Sequence, residues 1–203
     1  MSGAKIQFSD KERELMTNAD WILTKNAILQ KTALVFTDWQ AHYRDCLFRQ
    51  APTLFSIIQP FSYKISRGEN YKGLPWMVLD YPRLFGQTDI FAIRTLFWWG
   101  RYITITLQLA GVWKERCEEP LCLSHPVLAS NEFRISTTDD AWIHDQDPPF
   151  TTEINNLTLE AYTREIRKRN FLKISKIYPI EGMENLDRRM LADFEQLLKA
   201  AGY

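Results

Sequence analysis

Apolar residues recur at spacings of mostly three, four or seven through Leu15, Ala19, Ile22, Leu29, Leu34, Phe36, Trp39, Tyr43 and Leu47. Such spacing marks a helix with one buried face. Ser9 followed by Glu12 has the form of a capping box, so the helix is predicted to start there and to run to residue 50, with a break near residues 17–20. Pro52 and Pro60 then bracket a short connection. Beyond it the period changes to two. Phe61, Tyr63 and Ile65 alternate with Ser62, Lys64 and Ser66, which predicts a half-buried strand over residues 61–66. Residues 67–73 read as a polar loop, and residues 74–81, apolar on both faces, as a central strand with Pro75 at its start.

Residues 91–109 predict a β-hairpin around Trp98, Trp99 and Gly100. A two-residue type I′ turn would force Trp99 to positive φ, which a bulky side chain resists. A three-residue loop needs positive φ only at Gly100. That register pairs Phe97 with Arg101 and Arg94 with Thr104. It gathers Phe91, Ile93, Phe97, Ile103, Ile105 and Leu107 on one face, and Arg94, Tyr102, Thr104, Thr106 and Gln108 on the other. Register follows the hydrophobic pattern, so this is the arrangement expected. Downstream, a short helix is expected over residues 112–119, a strand within 132–143, a loop at 145–149, a helix over 156–170 and a strand over 171–180. A last helix over 185–201 carries the stripe Leu186, Met190, Phe194 and Leu197 and stops at Gly202. Helices, then consecutive strands, then helices imply an α+β fold: N-terminal helices, a central and largely antiparallel sheet, and C-terminal helices. No linker or repeat divides the chain, so residues 1–203 are expected to form one domain.

Composition adds bounds. At 203 residues and 45% hydrophobic, the chain is long enough to bury a large core. Lys plus Arg equals Asp plus Glu at 25 each, which gives no global field toward nucleic acid or anionic membrane. Three cysteines, an odd and sparse set, argue against a disulfide scaffold. No signal-like apolar stretch opens the chain and no run reaches the roughly 18 residues of a membrane span, so a cytoplasmic address is expected.

Four groups contain residue types that could carry chemistry. Asp38, His42 and Cys46 stand four residues apart on one helix and contain the parts of a triad, but working triads converge from separate elements, and these three continue the spacing of core positions. Cys117, Cys122 and His125 lack a fourth zinc ligand. Asp139, Asp140, Asp145 and Asp147 lack the glycine and closing glutamate of a calcium loop. Arg164, Arg167, Lys168, Arg169, Lys173 and Lys176 form a basic stretch, but Glu160 and Glu165 stand four residues before Arg164 and Arg169, as on an ordinary charged helix face. No metal or other cofactor is implied. Phosphate-binding glycine loops, nucleophile elbows and zinc-protease motifs are absent from the sequence.

The stretch KISRGENYKGLPWMVLDYPRLFGQTDIFAIRTLFWWGRYITITLQLAG, with TKNAILQK and the tail IYPIEGMENLDRRMLADFEQLLKAAG, resembles a family of uncharacterised bacterial proteins of about this length. The YKGLP step before two aromatic strands is similar to the YktB-like families of unknown function, which implies an α+β fold and a stand-alone bacterial cytoplasmic domain. Neither resemblance implies an activity. With no acid, base and nucleophile set assembled, the expectation is a non-catalytic binding or interaction module, with self-association left open. The alternative is an enzyme or small-ligand binder that uses the sheet's polar face. Its candidate residues are Arg94, Tyr102, Thr104, Thr106 and Gln108, with Lys64 from a second strand, for a small anionic or polar ligand. A pocket beside Arg94 would favour the alternative. Against an anion on Arg94 stands an internal pair with Asp80 or Glu69.

Overall fold

A computed structural model describes residues 6–203. Helix α1 (Asp10–Thr17) begins at the Ser9–Glu12 capping box, and Asn18 both ends it and caps α2 (Ala19–Gln50). The connection between the two prolines is itself a helix, α3 (Pro52–Ile58), with Pro52 in its first turn, where the missing N–H is not needed. Four consecutive strands follow: β1 (Lys64–Tyr71), β2 (Leu74–Phe85), β3 (Ile90–Trp98) and β4 (Tyr102–Ala110). Then come α4 (Val112–Leu123), α5 (His125–Ser130), β5 (Arg134–Ser136), β6 (Thr151–Glu153), α6 (Leu159–Lys168), β7 (Phe171–Pro179) and α7 (Leu186–Ala200). All seven strands form one antiparallel sheet in the order β1-β2-β3-β4-β7-β5-β6, so the fold is α+β. None of the described helices is long and apolar enough to cross a membrane.

The two faces of the sheet differ. Met77, Leu79, Phe91, Ile93, Ile105, Leu107 and Ile174 pack with the inner stripes of α2, α4 and α7 in the main core. There the ring of Tyr43 stacks on Phe194 at 4.1 Å, nearly parallel at 3°. The opposite face carries a smaller apolar cluster of Val78, Leu96, Trp98 and Tyr102. Residues 137–150, which join β5 to β6, run as a strap over this second face.

Three sequence expectations change here. Arg67 to Tyr71 belong to β1 rather than to a loop, and Phe61 and Tyr63 lie outside the strand, exposed. The chain reverses on Lys72 and Gly73 alone, both at positive φ (51° and 83°). This is the two-residue geometry whose twist suits a hairpin, and Asn70 closes it by accepting from the Gly73 N–H at 3.0 Å. In the next hairpin Gly100 has φ 67°, in the left-handed region. The three-residue loop, however, is Trp99-Gly100-Arg101, so Phe97 pairs with Ile103 and Arg94 with Thr106 rather than Thr104. This shift of two keeps each residue on its expected face. It also sets Trp98 opposite Tyr102, with rings 5.5 Å apart edge to face, inside the smaller cluster. Finally, β2 extends past residue 81 through an irregularity: Asp80 pairs with Arg94 and Arg83 with Ala92, so Tyr81 and Pro82 together stand opposite Ile93. One extra residue reverses the inside–outside alternation of the rest of the strand.

Candidate ligand-binding cleft

A cavity of about 460 Å³ opens on the strap side of the sheet, over β1, β2 and β3. Its floor is a set of cross-strand rows. Lys64, Asp80 and Arg94 form one row, Ser66, Val78 and Leu96 the next, and Gly68, Trp76 and Trp98 a third. All but Gly68 and Trp98 line the cavity. Gly68 matters because a Cβ there would stand 2.7 Å from the Trp76 indole, so its absence lets that ring lie against β1. Beyond the irregularity in β2, the altered alternation turns Arg83 and Phe85 into the same cavity. The strap supplies Trp142 and His144, with the Trp142 ring stacked beside Phe85 at 6.3 Å.

The strap is fastened along its length. Arg169 donates to the carbonyl of Thr137 at 2.7 Å and to the Asp139 carboxylate at 3.1 Å. Lys173, rising from β7, donates to the carbonyl of Ile143. The His144 N–H donates to the Tyr71 hydroxyl at 2.9 Å, and the Gln146 N–H to the Tyr102 hydroxyl at 2.8 Å. Lys72 pairs with Asp145 and Arg101 with Asp147. Burial disfavours the Asp145 charge, but Lys72, the Asp147 N–H and Arg101 outweigh it and hold the carboxyl below its usual range. The aspartates that resembled a cation loop are thus largely the strap's ion-pair partners.

Arg94 sits at the centre of this arrangement, and its fork is already filled. Nε and Nη2 donate to the two Asp80 oxygens at 2.7 and 3.1 Å, both side chains being largely buried. Its Nη1 lies 3.0 Å from His144 Nε2. A guanidinium can only donate, so this imidazole nitrogen is the acceptor and the ring is neutral with its proton on Nδ1. Burial, then the nearby charges of Lys173 and Arg94, push the His144 pKa down to about 3. Burial, followed by Arg94, also brings Lys173 down to about 8.

The sequence candidates therefore divide. Lys64 and Arg94 line the cavity. Tyr102, Thr104, Thr106 and Gln108 are buried in the sheet and lie outside its lining. Tyr102 anchors the strap, and Gln108 has neither side-chain atom hydrogen-bonded. Glu69, the other carboxylate within reason for Arg94, pairs with Lys25 instead. Trp76, Arg83, Phe85, Trp142 and His144 are site residues that the sequence pattern does not single out. The Tyr-Lys-Gly-Leu step could have disclosed the first hairpin and with it Trp76, but nothing in the local pattern marks the extra residue in β2 or the path of the strap.

Elsewhere, Asp38 and His42 are not buried on α2 while Cys46 is, its thiol pushed up to about 11 chiefly by burial. Cys117 and Cys122 are buried too, and His125 Nε2 lies 2.9 Å from the Leu157 carbonyl. No three His, Cys, Asp or Glu side chains converge as a metal site among the described residues. Half of the basic stretch is ion-paired: Arg167 with Glu118 and Glu119, Arg169 with Glu165 and Asp139, and Lys176 with Asp193. The chain finds no match among family models, curated proteins or solved structures.

Proposed function

We propose that this protein binds a small organic molecule in the cleft between β1–β3 and the strap. The observation that carries this reading is the cavity beside Arg94, whose size and mixed aromatic and polar lining suit a small-molecule site. Arg94 is a positioning residue here. Held by Asp80, it fixes His144 in the tautomer whose Nδ1–H is a free donor, and no protein acceptor takes that hydrogen among the described residues. Among the described residues the cleft holds no nucleophile with a base beside it, and the reading it supports is ligand binding.

The test is a metabolite-library thermal-shift screen on the wild type and on Ser66→Trp, which places a large ring on the cleft floor. The expected result is at least one compound that raises the wild-type Tm and quenches fluorescence from the cleft tryptophans, with both effects lost in a folded Ser66→Trp protein. Hits that stabilise both proteins equally would place binding elsewhere and refute the cleft.

A further inference from the structure

We infer that the ligand of this cleft is an aromatic anion: a planar ring carrying a carboxylate or phosphate. This rests on the cleft being a ligand site and specifies its chemistry. The charges lining it are unbalanced. Lys64, Arg83 and Arg94 face a single carboxylate, Asp80, which the Arg94 fork fully engages. Lys64 and Arg83 make no ion pair and no side-chain hydrogen bond among the described residues, although most other basic side chains near the sheet are paired. His144 adds no charge, because Arg94 keeps its ring neutral. Two uncompensated cations beside aromatic rings, Lys64 at the exposed rim and Arg83 half-buried, form a local positive field that favours an anion.

The aromatic side chains supply the other half of the inference. Trp76 and Tyr71 stand at the hairpin end of the cleft, and Phe85 and Trp142 at the end beyond the extra residue of β2. Lys64 lies across from Asp80 and Arg83 comes three residues later, so the cations stand between the two aromatic groups. From Trp76 to the Asp80 row is roughly 13 Å along the strand, within reach of a ring plus an acidic group once a lysine or arginine stem extends toward it. The Arg83 guanidinium lies 5.7 Å from the Phe85 ring centre, leaving it next to an aromatic surface but unneutralised.

The experiment compares three probes of the same ring isomer by isothermal titration: naphthoate, naphthyl phosphate and the neutral naphthamide. The expected result is that at least one acid binds about tenfold or more tighter than the amide, with an advantage that shrinks as salt rises. In Lys64→Gln/Arg83→Gln that advantage should fall to near unity while amide binding is retained, and Lys64→Arg alone should preserve it. A tighter carboxylate or a tighter phosphate identifies which acid the site takes. Amide binding equal to both acids would overturn the anion while leaving the cleft standing. Failure of all three probes, with metabolite hits indifferent to Ser66→Trp, would overturn both. An acid preference unchanged in the double variant would also overturn it, because the charge would then act from elsewhere.

Discussion

Arg94 and Asp80 offer the sharpest test of how the cleft is built. In Arg94→Met, Asp80 loses both of its charged donors, at 2.7 and 3.1 Å, and remains a buried carboxylate with no counter-charge in contact. Breaking one partner of such a pair costs about 3–5 kcal/mol, mostly because the remaining charge is stranded. Asp80→Leu strands the guanidinium in the same way, with only the neutral His144 beside it. Removing both should behave differently. Val78, Leu96 and Phe85 border these positions, so Leu and Met would extend an apolar floor, and replacing a buried ion pair by apolar residues of similar volume is often close to neutral. The double variant should therefore recover most of the single-variant losses, giving a coupling energy of about 5 kcal/mol or more. Urea unfolding of the four proteins, followed by tryptophan fluorescence, measures the cycle. Single losses that simply add, or an Arg94→Met cost below about 1 kcal/mol, would refute the pair as an internal strut. A gain in stability on removing Arg94 would mark it instead as a group kept for a ligand.

His144 should make stability pH-dependent. The folded protein keeps its imidazole neutral down to about pH 3, whereas the unfolded chain takes up the proton near 6.5, so stability is full above that value and falls as pH drops through the window, by up to about 1.4 kcal/mol per unit. His144→Gln, which still offers Arg94 an acceptor, should flatten this segment of the profile, and an identical slope in both proteins would contradict the assignment. At the second hairpin Gly100 has φ 67° and open space where a Cβ would stand, so Gly100→Val should lower stability by roughly 1 kcal/mol or more for backbone reasons alone; an unchanged Tm would show that the turn relaxes.

Local signals are legible where local physics dictates the structure. The Ser9–Glu12 capping box, the break at Asn18 and the stripe of α7 each depend on residues within one or two turns, and each stands where the sequence placed it. The partition of the β3–β4 hairpin into an apolar and a polar face is also legible, since alternation is preserved by any even shift of register. The pairing itself is not, because moving the loop by one residue alters partners without altering faces. Arg94 stands out in the sequence as a charge within a strand, with Asp80 as one of its two candidate partners. Polarity alone, however, does not separate Lys64, which lines the cleft, from Thr104, Thr106 and Gln108, which are buried outside it. What covers a sheet face is settled by contacts far apart in sequence, such as Tyr71 with His144 or Lys173 with Ile143, and no window along the chain contains both partners.

The extra residue in β2 bears on how such a cleft could arise or disappear. Upstream of Tyr81 and Pro82 the even-numbered side chains Trp76, Val78 and Asp80 face the cavity; downstream the odd-numbered Arg83 and Phe85 do, while Leu84 enters the core. If Tyr81 and Pro82 each took a position of their own, without the bulge, a strand of this length would alternate simply. Arg83 and Phe85 would be driven toward the helices, and Leu84 would be turned outward. Half of the cationic pair and one aromatic wall thus depend on two residues sharing the one position opposite Ile93 rather than on the identity of any lining residue. A search among relatives for this site should therefore ask whether the residues between the Asp80 and Arg83 positions fill a single position opposite Ile93 before asking which side chains they carry.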